Sequence, residues 1–357
     1  MKLRQKFGLI LSTISLLSFM SYASAETKVI ASIKPLHSLV SYVMNGVGTP
    51  GILVDGSSSP HTFQLKPSHA TMLQEADIVF WIGEDLESFL ETPLESIAKN
   101  SKHITLMESD EIELLKFREK NIFGGHDDHD DHGDEHDEHA DEHGDGHDEH
   151  DEHGDGHDEH DEHGDEHDEH DEHADEHGDG HDDHHDGHAH GEHDIHFWLD
   201  PEIAKTIVKI VTRELSEIDP ANSSTYKSNS TKAINDIDQL IMDTKSKINS
   251  NASYVVFHDA YQYFEKRFGV EVVGALTVNP EVLPGAKQLS EIREVIEHEN
   301  INCLFSEPQF NPSIAETIAS DTGIKSAIID PLGAELDPGK DLYFDLIGDI
   351  ASSFESC

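Results

Sequence analysis

The chain has 357 residues with 74 Asp and Glu against 24 Lys and Arg, a formal net charge of -50, and 29 histidines. That balance excludes nucleic acid and anionic lipid as partners, because binding them rests on Lys and Arg neutralising phosphate, and it points to a cation instead. The imbalance is local: residues 126–193 hold 33 acidic residues and 22 histidines with no Lys or Arg, which leaves -17 elsewhere.

The N-terminus reads as an export leader spanning 1–25. Lys2, Arg4 and Lys6 precede an apolar run over 7–20, and Ala23-Ser24-Ala25 supplies the small residues of a cleavage site. The run is shorter than the roughly 20 residues that cross a bilayer and is interrupted by serines, so an uncleaved anchor fits it less well. The mature protein is therefore expected in the periplasm.

From residue 26 the pattern alternates. A strand over 28–33 stops at Pro35, a helix follows from His37, and strands over 51–54 and 78–82 alternate with helices over 68–75 and 86–98. Strand and helix in alternation predict an α/β fold with mostly parallel sheets. The tract at 126–193 repeats with a ten-residue period, seen in 147–156 and nearly again in 157–166, and has almost no apolar side chains. Burial cannot offset its ordering entropy, so it reads as a disordered insertion in a loop. Asp200-Pro201 opens another helix, and from Pro220 to residue 250 Ile234, Ile237, Leu240, Ile241 and Ile248 recur at mostly helical spacing, predicting one long rigid connecting helix. Strands over 255–257, 270–273, 303–305 and 326–329 then alternate with helices over 261–267 and 290–298. The expected organisation is an N-terminal α/β lobe over 26–218 with its insertion at 126–193, a connecting helix over 219–250, and a C-terminal α/β lobe over 251–357.

The two cysteines, Cys303 and Cys357, mature in an oxidising compartment, so a disulfide is expected. Free thiols and thiolate metal ligands are the other readings, although a separation of 54 residues fits no zinc-ribbon spacing. Seven histidines lie outside the tract: 37, 61, 69, 103, 196, 258 and 298. His61 follows a strand, where open α/β sheets bind ligands, His196 precedes a helix, and His258 ends a strand. Imidazoles at such junctions can converge on zinc, which takes about four ligands in a tetrahedron. Taken singly, a histidine so placed is more often a hydrogen-bonded structural residue than a ligand. His37, His69, His103 and His298 read as surface or capping residues, and Trp81 and Trp198 as core aromatics.

Several strings carry a resemblance: Ser32-Ile33-Lys34-Pro35-Leu36, His61 through Ser68, His196-Phe197-Trp198-Leu199-Asp200-Pro201, Phe257 through Phe264, Glu307-Pro308-Gln309-Phe310 and Asp330-Pro331-Leu332-Gly333. Together they resemble the periplasmic zinc-binding receptors of ABC importers, the ZnuA type, over nearly the whole mature chain. The resemblance implies two lobes facing each other across a metal site, with His61, His196 and His258 as ligands. It also implies a monomer that passes Zn2+ to a membrane permease with its cytoplasmic ATPase. Manganese-binding relatives generally carry a carboxylate where this chain has His258, and imidazole suits zinc better than the hard Mn ion. Zinc receptors often have Glu before the first histidine ligand, where this chain has Pro60. Asp330 matches the position of a carboxylate ligand in relatives and is the expected fourth ligand, with a water or a tract histidine as the alternatives, and a turn cap or an imidazole-orienting carboxylate as its own other role. The tract reads as a low-affinity zinc collector, buffer or sensor. The competing functions are a zinc hydrolase, which lacks a His-Glu-x-x-His motif here, and a periplasmic metal-storage or adhesion protein.

Overall fold

The computed structural model describes residues 26–122 and 191–357, apart from 119, 249–251, 281 and 283. The expected leader at 1–25 and all but the last three residues of the acidic tract lie outside the described residues. The first half runs β1 (Val29–Ile33), α1 (Lys34–Val43), β2 (Gly51–Val54), α2 (Pro67–Glu75), β3 (Ile78–Trp81), α3 (Glu91–Ser96) and β4 (Lys102–Thr105). β1 and β3 are buried along their whole length and apolar except for Ser32, as expected of strands covered on both faces. After the insertion, α4 (Pro201–Ile218) starts sharply because the Asp200 side chain accepts from Glu202 N and Pro201 fits the first helical turn. α5 (Ser223–Lys247), 25 residues long, leads into the second half. That half comprises β5 (Ser253–His258), α6 (Gln262–Phe268), β6 (Glu271–Thr277), α7 (Ala286–His298), β7 (Ile301–Ser306), α8 (Ser313–Thr322), β8 (Lys325–Ile328) and α9 (Leu342–Ser356).

Each half forms a four-stranded parallel sheet, in the order β2-β1-β3-β4 and β6-β5-β7-β8. The same winding occurs twice: the second strand goes to one side of the first and the third to the other. The chain therefore reverses direction between β1 and β3, and again between β5 and β7. Loops at the carboxyl ends beside such reversals diverge and leave a crevice, which is where open α/β sheets bind ligands.

The halves share one hydrophobic core containing Ile33, Trp198, Tyr226, Tyr254, Phe264 and Tyr343. Helix α9 packs on both α1 and α5, the Lys34 ammonium donates to the carbonyls of Ala334 and Leu336 at 3.0 and 2.6 Å, and the Tyr343 hydroxyl donates to Trp198 O. Cys303 in β7 and Cys357 after α9 form the expected disulfide, with their Cα atoms 5.7 Å apart. Among the described residues no helix is long and apolar enough to cross a membrane.

Three local expectations change. The helix expected over 86–98 is reduced to a 3-10 turn at Ser88–Leu90 and the short α3. Gly83 turns the chain at φ 155°, and the buried Glu87 carboxylate folds back to accept from the backbone N–H groups of Ile82 and Gly83, which holds 82–87 as a loop. The 270–273 strand extends as β6 to Thr277, and β4 is an additional strand. The two ends of the insertion lie side by side: Phe117 N donates to Glu192 O at 3.1 Å and Asp194 N to Leu115 O at 2.9 Å.

Candidate metal centre

The three junction histidines meet. His61 lies in the 3-10 turn Pro60–Thr62 that follows β2, where Ser59 Oγ accepts from His61 N. His196 precedes the 3-10 turn Phe197–Leu199 leading to α4, and His258 is the last residue of β5, beside the reversal between β5 and β7. Their candidate ligand atoms all lie within 4.8 Å of one another. The cavity they line has a volume of about 10 Å³, enough for one ion or one water. Trp198, Phe310, Pro331 and Leu332 form its apolar walls.

Two of the imidazoles are held by carboxylates. Asp194 Oδ1 accepts from His196 N at 2.9 Å and from its Nδ1 at 2.8 Å, and Glu307 Oε1 accepts from His258 Nδ1 at 2.7 Å. An ionised carboxylate only accepts, so with Asp194 and Glu307 ionised the ring proton belongs on Nδ1 and the Nε2 lone pair faces the cavity. The two Nε2 atoms are 3.3 Å apart. Two Zn–N bonds of about 2.05 Å at a tetrahedral angle place their nitrogens about 3.3 Å apart, so the pair already has the spacing that zinc requires.

Burial sets the electrostatics. It drives His196 well below the ordinary imidazole value, aided by the neighbouring His258, and pushes Asp194 up to about 7 against its hydrogen bond from His196 and the charge of Arg118. For His258 burial also opposes protonation, but the Glu307 charge and hydrogen bond, with Asp259 and Asp194 behind it, outweigh burial and raise its pKa. Arg118 spans Asp259 and Glu265 with four short hydrogen bonds, compensating two carboxylates that burial lifts to about 6 and about 7.

Asp330 does not join the histidines. Its Oδ1 accepts from Gln309 Nε2 at 2.8 Å and from Leu332 N at 2.9 Å, while Oδ2 accepts from Ala334 N, so the carboxylate caps the turn after β8. Of the histidines expected on the surface or at caps, His69 caps α2 by accepting from Lys66 N, and His103 lies on β4 with its ring 2.9 Å from Ala98 O. His37 is buried instead, 3.1 Å from Pro50 O. Trp81 and Trp198 are core aromatics, and Trp198 is also a wall of the site, its ring centroid 5.3 Å from that of His196. Sequence reasoning gave no role to Asp194 or Glu307. The signal available was an acidic residue two positions before His196, and one just past β7 on the strand neighbouring β5.

Residues 29–357 match the family model described as zinc-uptake complex component A, periplasmic. The high-affinity zinc uptake system protein ZnuA of Brucella abortus strain 2308 is 40% identical over 339 residues, covering 94% of this chain and 93% of that protein. A crystal structure of ZnuA superposes with a TM-score of 0.66 at 19% identity, covering 93% of this chain and 99% of that one. A zinc-bound ZnuA mutant lacking residues 138–173 of its own numbering superposes with a TM-score of 0.64 at 19% identity, covering 92% and 96%. At such identity the two structures establish the shared fold.

Proposed function

The chain belongs to the family of periplasmic zinc-uptake components, and from that premise we propose that it captures Zn2+ among His61, His196 and His258 and delivers it to an ABC-transporter permease powered by a cytoplasmic ATPase. The observation that carries this reading is the convergence of three imidazoles on a cavity of one-ion size, two of them oriented by buried carboxylates at tetrahedral N···N spacing. Three nitrogen donors suit zinc better than manganese or magnesium. The family is one of uptake components, which sets the hydrolase reading aside.

Zinc is cargo here. A site of preset geometry has met its ordering cost during folding, and Asp194 and Glu307 keep the Nε2 lone pairs facing inward. The leader directs export, the mature protein acts as a monomer, and the acidic histidine tract serves as a collector of lower affinity that fills after the pocket. Chelator competition on the full chain tests the assignment: His258→Ala should lose the single tight zinc. Retention of one zinc as tightly bound as in the parent would overturn it.

A further inference from the structure

Three histidines leave one position of a zinc tetrahedron to be assigned. Pro60 offers no side-chain donor atom, the Asp330 oxygens are taken up by Gln309, Leu332 and Ala334, and Glu307 Oε1 is taken up by His258, while Glu307 Oε2, buried without a hydrogen bond, has the Tyr261 hydroxyl beside it. Gln309 lines the same cavity as the three histidines. Its orientation follows from its partner: Asp330 can only accept, so the amide NH2 faces Asp330 and Oε1 faces away. That Oε1 is buried and has no donor among the described residues. A buried acceptor left unmatched costs about 1–3 kcal/mol, so native structures keep few of them without a reason.

We propose that Gln309 presents its amide oxygen to the fourth coordination position, meeting the ion directly or through one metal-bound water, and that Asp330 is a positioning residue acting through Gln309. The proposal rests on the three-histidine reading above. It replaces a carboxylate by a neutral oxygen, so the ion keeps its full charge beside four neutral donors. Such a site holds a cation less tightly than one with a carboxylate ligand, which suits a protein that must also let its cargo go. Gln309 comes from the loop after β7 and Asp330 from the loop after β8, so their bond ties neighbouring strand ends to the ion.

The test uses the full chain with zinc alone, and a chelator strong enough that only the tightest site competes. Parent, Gln309→Leu, Asp330→Ala, the double variant and His258→Ala are compared, with thermal unfolding to verify folding. Gln309→Leu should weaken tight binding about tenfold, the low end for loss of a group supporting a metal site. Asp330→Ala should weaken the parent similarly and add little in the Gln309→Leu background, since coupled residues are not additive. Zinc-edge absorption on one-zinc samples then shows a first shell falling from four to three light atoms if the contact is direct, or staying at four if a water relays it. Unchanged affinity in Gln309→Leu, or an Asp330→Ala effect equally large in both backgrounds, would overturn the proposal. Should Asp330→Ala fail to fold, the Gln309→Leu affinity alone decides. If His258→Ala keeps the tight site, the three-histidine reading fails instead.

Discussion

Replacing Glu307 by Gln isolates what a buried carboxylate contributes to zinc capture. His258 Nδ1 and Glu307 Oε1 are 2.7 Å apart, with side chains 3% and 0% exposed, so no solvent competes for the contact. Loss of such a partner weakens metal affinity about 10- to 100-fold, or about 1.4 to 2.7 kcal/mol. Glutamine keeps the shape and one acceptor oxygen, which places Glu307→Gln near the tenfold end, measured by chelator competition at pH 8. The pH dependence has a definite sign. Glu307 raises the His258 pKa above its ordinary 6.5, so in the parent protons compete with zinc to a higher pH than they would for a free imidazole. Removing the Glu307 charge lowers that pKa and relieves the competition. The affinity gap between parent and Glu307→Gln should therefore be widest at pH 8 and narrow toward pH 6. Equal affinities at pH 8, or a gap that widens on acidification, would refute the reasoning.

Replacing Cys303 and Cys357 together by serine opens a loop of 54 residues and should lower stability by up to about 4 kcal/mol in the chain-entropy model, read from urea midpoints of oxidised parent and variant; coincident midpoints would count against it. Burial raises Glu87 to about 7 from 4.5: its folded form holds the proton more tightly than the unfolded chain, so the parent loses up to about 3 kcal/mol as pH rises through that interval. Glu87→Gln, which still accepts from Ile82 and Gly83, should flatten that decline in urea titrations at pH 5 and 8, and parallel slopes for the two proteins would rule it out.

The alternation of strands and helices was legible because fully buried parallel strands such as β1, β3 and β5 are short apolar runs bounded by Gly, Pro or polar residues. His61, His196 and His258 were only weakly marked by their place at element junctions, and the matched strings around them singled them out as ligands. What escaped sequence reasoning depends on the third dimension. β4 is only four residues long and half-buried, so its pattern is weak. The break at 82–87 arises from one carboxylate, Glu87, turning back on backbone amides, which periodicity does not encode. Glu307 is 49 residues from His258, and only the pairing of β5 with β7 makes them neighbours. The resemblance made Asp330 the expected fourth ligand, yet its turn uses both oxygens locally.

The short ladder that brings Leu115 and Phe117 against Glu192 and Asp194 separates the length of the insertion from the geometry of the pocket. Whatever is spliced between its two rails begins and ends at fixed points, one of them two residues from His196. For an unstructured insert, closure entropy grows only as the logarithm of length, about 0.6 kcal/mol for each doubling. Repeats of the His-Asp-Glu unit can therefore be gained or lost by unequal crossing-over with little effect on folding. On the reading of the tract as a cation collector, capacity can thus vary with the number of repeats, while the three-histidine pocket experiences every length as the same pair of anchored chain segments.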